Sequence, residues 1–276
     1  VNDWIIPDWP APASVKAVAT TRLGGFSEGP WHSLNLGTNS GDDPAAVARN
    51  REWLAQYLPA EPHWLQQVHG TTVLRHPGNA TRPGNPGNDA GPGEREAAPV
   101  RAAPESIPPK ADAQWSNSKG AVCAVLTADC LPVLFCDREG TRVAAAHAGW
   151  RGLAAGVLEN TVAAMGIPAS DLMAWLGPAI GPMAYQVGDE VRAAFLRKES
   201  ESGLQTAGAQ TAAYAFKAQG ERWLFDLYAM ARYRLQKAGV GHISGGGFCT
   251  FSDSGRFFSY RRDGTTGRMA SLVWLR

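Results

Sequence analysis

Three short segments carry the residues best suited to chemistry: Gln66-Gln67-Val68-His69-Gly70, Thr127-Ala128-Asp129-Cys130-Leu131-Pro132 and Ala146-His147-Ala148-Gly149-Trp150-Arg151-Gly152. Each places one metal-ligating side chain beside residues that favour a tight turn. Together, His69, Cys130 and His147 offer two imidazoles and one thiolate, a donor set that suits a zinc ion with one open coordination position. Such an ion lowers the pKa of a bound water to about 7 and acts as a Lewis acid. The cysteine binds as thiolate, and the metal itself supplies the pKa depression. Taken singly, a buried cysteine is often a small hydrophobe and a histidine a hydrogen-bonded surface or core residue. The three positions also span about eighty residues, so spacing alone is a weak signal. Polar and glycine-rich flanks at strand ends strengthen it, because functional groups concentrate there.

Stepping outward, the elements that must position these groups are legible in part. Val15–Thr21 reads as a strand that enters a glycine turn. Asp43-Pro44 opens a helix whose stripe is Val47, Leu54 and Leu58. Residues 121–127, 131–136 and 142–146 read as short strands, which puts Cys130 and His147 at strand ends, able to meet at one rim if the strands are neighbours. A helix is expected from about Arg151 to Met165, with Leu153, Val157, Leu158 and Val162 inward and Gly166 closing it. Further helices are expected at 189–197 and 226–237, and closing strands at 257–261 and 269–275. Residues 77–110 differ in kind: eight prolines, five glycines and almost no large apolar side chain. That composition cannot bury enough surface to offset its ordering entropy, and the expectation is a mobile surface insertion in a single domain spanning 1–276. The mixture of elements indicates an α+β fold.

Bulk composition narrows the function. The chain of 276 residues is 44% hydrophobic and 18% charged, with a formal net charge of +1. That fits a globular protein and argues against nucleic-acid binding through a broad basic surface. No apolar run reaches the ~18 residues of a membrane span. Val1-Asn2-Asp3-Trp4 does not read as a signal peptide. Four cysteines without a CxxC pair make a disulfide framework a poor fit, so a cytoplasmic location is expected. Six histidines and no HxH pair leave room for one mononuclear metal site, not a multinuclear copper cluster.

The segments QQVHG, TADCLPVLF, AHAGWRG, LGPAIGP (176–182) and FFSYRRDGTTGR (257–268), with TTRLGGFS (20–27) and SLNLG (33–37), resemble in order the signature series of the YfiH-type family. This family is also called the laccase-domain or multi-copper polyphenol oxidoreductase family. The resemblance covers nearly the whole chain, and the 77–110 insertion is the departure from it. It implies a four-layer α/β/β/α mixed β-sandwich, similar in fold to toxins with a cysteine-histidine deamidase site, and a metal triad of His69, Cys130 and His147. The implied activity is phosphorolysis of adenosine, inosine and methylthioadenosine, with adenosine deamination. The partners are then small molecules, a purine nucleoside and phosphate, and a monomer is expected. Two alternatives stand beside it: an amidase that removes misincorporated serine from a muramyl-peptide precursor, and a copper phenol oxidase, since copper competes well for such ligands. A non-enzymatic, metal-stabilised binding module would need a closed site with a fourth ligand.

Further candidates lie in the same motifs. Arg22, Arg151, Arg261 and Arg262 sit near turns and are suited to oxyanions. Asp112, near the metal by the resemblance, is a candidate proton shuttle, and a capping aspartate is its plainer reading. Asp129, which precedes Cys130, is a candidate to orient an imidazole of the triad. Trp150 could stack on a base or pack in the core. Cys249 is a candidate nucleophile or a pocket-lining residue.

Overall fold

The computed structural model describes residues 3–76, 78, 107–201 and 211–276. Nearly all of the 77–110 segment therefore lies outside the described residues. Among the described residues, twelve strands form three sheets. The first joins β1 (Val15–Ala19), β12 (Met269–Leu275) and β4 (Cys123–Thr127), in that order and antiparallel. The second has six strands in the order β11 (His242–Gly245), β7 (Leu172–Leu176), β5 (Leu131–Asp137), β6 (Val143–Ala148), β3 (Ala113–Ser116) and β2 (Val73–Arg75). The third joins β8 (Gln186–Val187), β10 (Arg222–Phe225) and β9 (Phe216–Gln219). The helices are α1 (Pro44–Ala55), α2 (Trp150–Ala155), α3 (Val157–Met165), α4 (Asp189–Glu201), α5 (Leu227–Lys237) and α6 (Tyr260–Asp263).

Side-chain alternation builds the layers. All seven residues of β5 are buried, as a strand covered on both faces must be. Leu131, Val133 and Phe135 pack with Leu153, Leu158, Val191 and Met230 from the helices. Leu134 and Cys136 point the other way, onto Cys123, Val125 and Val273 of the smaller sheet. That sheet in turn sends Val18, Ala124 and Leu272 outward against Leu54 of α1. The order is therefore α1, three-stranded sheet, six-stranded sheet, then α2 to α5: an α/β/β/α sandwich, as the motifs imply. A fully buried Leu or Phe in these layers contributes on the order of 2 to 3 kcal/mol.

Local chemistry sets the ends of elements. Asp43 caps α1 by accepting from the Ala45 N–H, and Asp226 caps α5 by accepting from Ala229. The helix expected over 151–165 is divided at Gly156, whose φ of 108° is left-handed. The strand expected at 257–261 does not form. Phe257 and Phe258 are fully buried against Ala128 and Met269, and Ser259 then caps α6 through the Arg262 N–H. A pair of adjacent apolar side chains looks strand-like, but both rings here are used as anchors for a loop.

Candidate metal centre and adjoining pocket

The antiparallel pairing of β5 with β6 sets Pro132 opposite His147. Cys130, two residues before Pro132, therefore meets His147 at one rim of the six-stranded sheet. His69 arrives from the loop before β2. Gln67 docks that loop on β4: its Nε2 donates to the Leu126 carbonyl (2.8 Å) and its Oε1 accepts from the Leu126 N–H (2.7 Å). A side-chain amide thus substitutes for a strand partner. His69 itself has a positive φ of 59°, held by three consecutive N–H groups that converge on Asp112. Val68 and Gly70 donate to Oδ2 at 3.2 and 2.7 Å, and His69 donates to Oδ1 at 2.8 Å.

The ligand atoms of His69, Cys130 and His147 all lie within 4.8 Å of one another. Cys130 Sγ is 3.7 Å from His69 Nε2, and the two imidazoles meet edge to face at 4.8 Å between centroids. Among the described residues no other His, Cys, Asp or Glu joins this group. His147 Nδ1 donates to Asp112 Oδ1 at 2.9 Å, which leaves its Nε2 lone pair for a metal. Burial opposes ionisation of Cys130, but the neighbouring His147 and His69 outweigh it and lower the thiol pKa. Burial likewise opposes protonation of His147, and Cys130 and Asp112 reverse it, so its pKa is raised. A thiolate beside two imidazole nitrogens, whose shared protons a cation would displace, fits a borderline divalent ion. His69 is exposed while His147 is buried, so the site opens to solvent on one side.

Two glycines make this approach feasible. A Cβ on Gly149 would come within 2.7 Å of His69 Cδ2 and 3.0 Å of Cys130 Sγ. A Cβ on Gly152 would come within 2.8 Å of the Gly70 carbonyl oxygen. Both lie in the AHAGWRG segment, whose glycines thus leave space for the other two segments.

A cavity of about 130 Å³ adjoins Cys130, lined in part by Asp129, Trp150, Tyr185, Tyr260 and Arg261. The Arg261 guanidinium lies 5.1 Å from the centroid of the Tyr185 ring. Arg151 lies 4.4 Å from the ring centroid of Trp150. Burial, then the charge of Cys130, pushes the Tyr185 phenol up, so it stays protonated. A larger hollow of about 390 Å³, lined by Trp4, Trp9, Tyr57 and Trp274 among others, includes none of the three candidate ligands.

With this geometry in hand, the likeness to known proteins is informative. Residues 16–276 match the family described as multi-copper polyphenol oxidoreductase laccase. The chain belongs to this family. It is 51% identical over 275 residues to a purine nucleoside phosphorylase of Pseudomonas aeruginosa, covering 100% of this chain and 99% of that one. It is 48% identical over 273 residues to the purine nucleoside phosphorylase YfiH of Escherichia coli, covering 98% of each. The crystal structure of a Neisseria meningitidis protein superposes with a TM-score of 0.82 at 46% identity, covering 99% of both chains.

The remaining sequence candidates separate by what they touch. Asp112, the candidate proton shuttle, is fully buried and accepts four hydrogen bonds, all from protein donors. Burial would raise its pKa, but His147 and the Gly70 and Val68 amides lower it. Asp129, expected to orient an imidazole, instead accepts from the Thr250 hydroxyl and the Arg261 N–H at 2.6 and 2.7 Å. It holds the turn before Cys130 at a φ of 96°. Arg22 donates to the carbonyls of His32 and Ser254 and lies over Phe258. Arg262 donates to the carbonyls of Thr250, Phe251 and Phe257 and pairs with Asp263. These two arginines tie loops together, whereas Arg261 lines the cavity and Arg151 lies over the ring of Trp150, which also lines it. Cys249 Sγ accepts from the Gly181 and Ser252 amides (3.3 and 3.4 Å), and its pKa is lowered by these contacts against the opposing effect of burial. It lies behind the 176–182 segment, and a Cβ on Gly181 would come within 3.0 Å of it. Tyr185 and Tyr260 escaped the sequence reading. The former follows LGPAIGP by three residues, a proximity that could have flagged it.

Among the described residues no helix is long and apolar enough to cross a membrane. All four cysteines are free. Cys123 and Cys136 pack between the sheets, and burial raises both thiols, Cys136 to about 12.

Proposed function

We propose that this protein is a metal-dependent purine nucleoside enzyme that cleaves adenosine, inosine and methylthioadenosine with phosphate and also deaminates adenosine. The observation that carries this reading is the continuity of the His69, Cys130 and His147 cluster with a cavity walled by Trp150, Tyr185 and Arg261. Relatives named purine nucleoside phosphorylase, similar along their whole length, support it.

In phosphorolysis the C1′–N9 bond breaks and a C1′–O bond to phosphate forms. The electron pair of the broken bond stays on N9. The proton of hydrogen phosphate ends on the departing base, giving ribose 1-phosphate and free purine. The residues described above divide the work. Trp150 and Tyr185 offer aromatic faces for a planar base. Arg151 and Arg261 place positive charge at the mouth, where the anionic nucleophile must arrive. At about 130 Å³ the cavity is too small to enclose a nucleoside. One part of the substrate fills it and the rest lies across the open mouth. Asp112 fixes the tautomer and direction of His147. Zinc, or copper in its place, held by His69, Cys130 and His147, would supply Lewis acidity towards a substrate oxygen or nitrogen.

The test is purified protein of known metal content, supplied with inosine and phosphate and analysed for hypoxanthine and ribose 1-phosphate. Parallel arms measure inosine release from adenosine, serine release from the UDP-linked muramyl-serine precursor, and oxygen uptake with phenols. Phosphate-dependent hypoxanthine release that disappears, together with bound metal, in Cys130→Ala is the expected result. Turnover confined to the muramyl-serine or the phenol arm would replace this reading.

A further inference from the structure

Arg268 was not among the candidates, yet its surroundings set it apart from the other arginines near the site. It immediately precedes β12, whose Met269 pairs with Thr127 at the end of β4. Continuing that register sets Arg268 beside the Ala128-Asp129-Cys130 turn. Its stem runs over Gly37, where a Cβ would come within 2.6 Å of Arg268 Cγ and 3.0 Å of its Cβ. Gly37 thus leaves the space through which the side chain passes. The backbone is pinned as well, since the Arg268 N–H donates to Asn35 Oδ1 at 2.8 Å. Asn35 is fully buried and is itself held by Ser40 and Asp42.

The guanidinium is oriented but not neutralised. Nη1 donates to the carbonyls of Thr266 and Gly267, both at 2.9 Å. These two bonds fix the plane of the fork and leave Nε and Nη2 without a protein acceptor among the described residues. No carboxylate forms an ion pair with it there. Asp129 is near enough to be felt electrostatically, but its two oxygens are already engaged by Thr250 and Arg261. The register sets Arg268 beside Ala128, Asp129 and Cys130, all three of which line the cavity. Arg22 and Arg262, by contrast, have their donors occupied by carbonyls. A partly buried cation is costly unless an anion joins it. A planar fork with two free, adjacent donors matches the edge of a tetrahedral oxyanion.

We propose that Arg268 is the anchor of an oxyanion site beside the cavity, with inorganic phosphate as its ligand and Arg261, which lines the cavity, contributing charge. This deepens the phosphorolytic reading and rests on it for the identity of the anion. The bond-making oxygen of phosphate then faces the cavity while two others are held by the fork.

Calorimetric titration with inorganic phosphate tests the site without turnover, using the full chain with its metal as purified. Wild-type protein is compared with Arg268→Gln and Arg268→Lys, the latter keeping charge and stem but losing the fork. Metal stoichiometry and melting temperature are measured on each. Phosphate affinity is expected to fall at least tenfold in Arg268→Gln and several-fold in Arg268→Lys. In steady-state phosphorolysis the KM for phosphate should rise in parallel while the KM for inosine stays within twofold. A purely structural role would instead lower kcat and disturb both KM values. If Arg268→Gln does not fold, Arg268→Lys decides. Absence of phosphate binding by wild-type protein, or unchanged affinity in a folded, metal-replete variant, overturns the proposal. Phosphate binding that depends on Arg268 without any nucleoside cleavage would keep the site and reject the nucleoside reading.

Discussion

Replacing Asp112 by asparagine changes one oxygen to an amide and leaves shape almost intact, so its effect isolates hydrogen bonding and charge. In the wild type each carboxylate oxygen accepts two hydrogen bonds: Oδ1 from His69 N–H and His147 Nδ1, Oδ2 from Val68 and Gly70 N–H. All four partners are donors, and an asparagine has only one accepting end. With its NH₂ towards Val68 and Gly70 two hydrogen bonds are lost; turned the other way, the His69 N–H loses its acceptor and His147 Nδ1 must accept, which puts the ring proton on the metal-facing Nε2. A hydrogen bond to a charged group contributes about 1.5 to 3 kcal/mol, so the loss of one or two is about 1.5 to 6 kcal/mol. For a chain of this size that corresponds to a fall in melting temperature on the order of 10 °C. The His69 turn loosens and His147 loses the partner that selects its tautomer. Metal affinity should then fall by about 10- to 100-fold. Urea denaturation of metal-free protein reads the first effect, and competition with a chromophoric chelator reads the second. An Asp112→Asn protein with wild-type midpoint and wild-type metal affinity would refute the reasoning. A variant with lowered stability but unaltered metal affinity would confine Asp112 to holding the 68–70 turn.

Two further outcomes follow from contacts elsewhere. Gly149→Ala should reduce metal affinity at least tenfold, because the added methyl meets both His69 and Cys130; the same chelator competition checks it, and retained affinity would show that the rim can yield. His76 is buried at 3% exposure, and burial, followed by the nearby His63, lowers its pKa to about 4. The unfolded chain binds this proton near pH 6.5, well before the folded chain does, so stability should decline as pH falls from about 6.5 to 4, by on the order of 2 kcal/mol after solvent screening. Denaturation midpoints across this range should show the decline in wild type and a shallower one in His76→Gln; parallel slopes would reject His76 as a source.

The chemistry-bearing residues were readable in the sequence because each sits in a short segment that carries its own geometry. His69 before Gly70, Cys130 after Asp129 and His147 two residues before Gly149 mark turns, and turns depend on neighbours along the chain. The β5 and β6 strands were visible as apolar runs, but their pairing, on which the meeting of Cys130 and His147 depends, was supplied only by the structure. Short or interrupted elements were less visible. Nothing local distinguishes Phe257 and Phe258 as loop anchors from two residues of a strand, since both uses bury the rings.

Roles that depend on distant partners were settled only by the tertiary structure. Asp112 and Asp129 are both short acids beside candidate ligands, and the sequence offered Asp129 to orient an imidazole, whereas Asp112 is the one in contact with His147. The decision belongs to the β3–β6 pairing, which sets Ala113 opposite Ala146 and so brings the adjacent Asp112 to His147. The arginines divide for the same reason. Arg22 and Arg262 reach carbonyls of nearby loops, while Arg268 crosses Gly37, 231 positions earlier in the chain, and keeps donors free. Residue types and turn geometry are local properties that the chain specifies on its own. Which donor is left without an acceptor is a property of the packed molecule, because it depends on every group that comes within 3 Å.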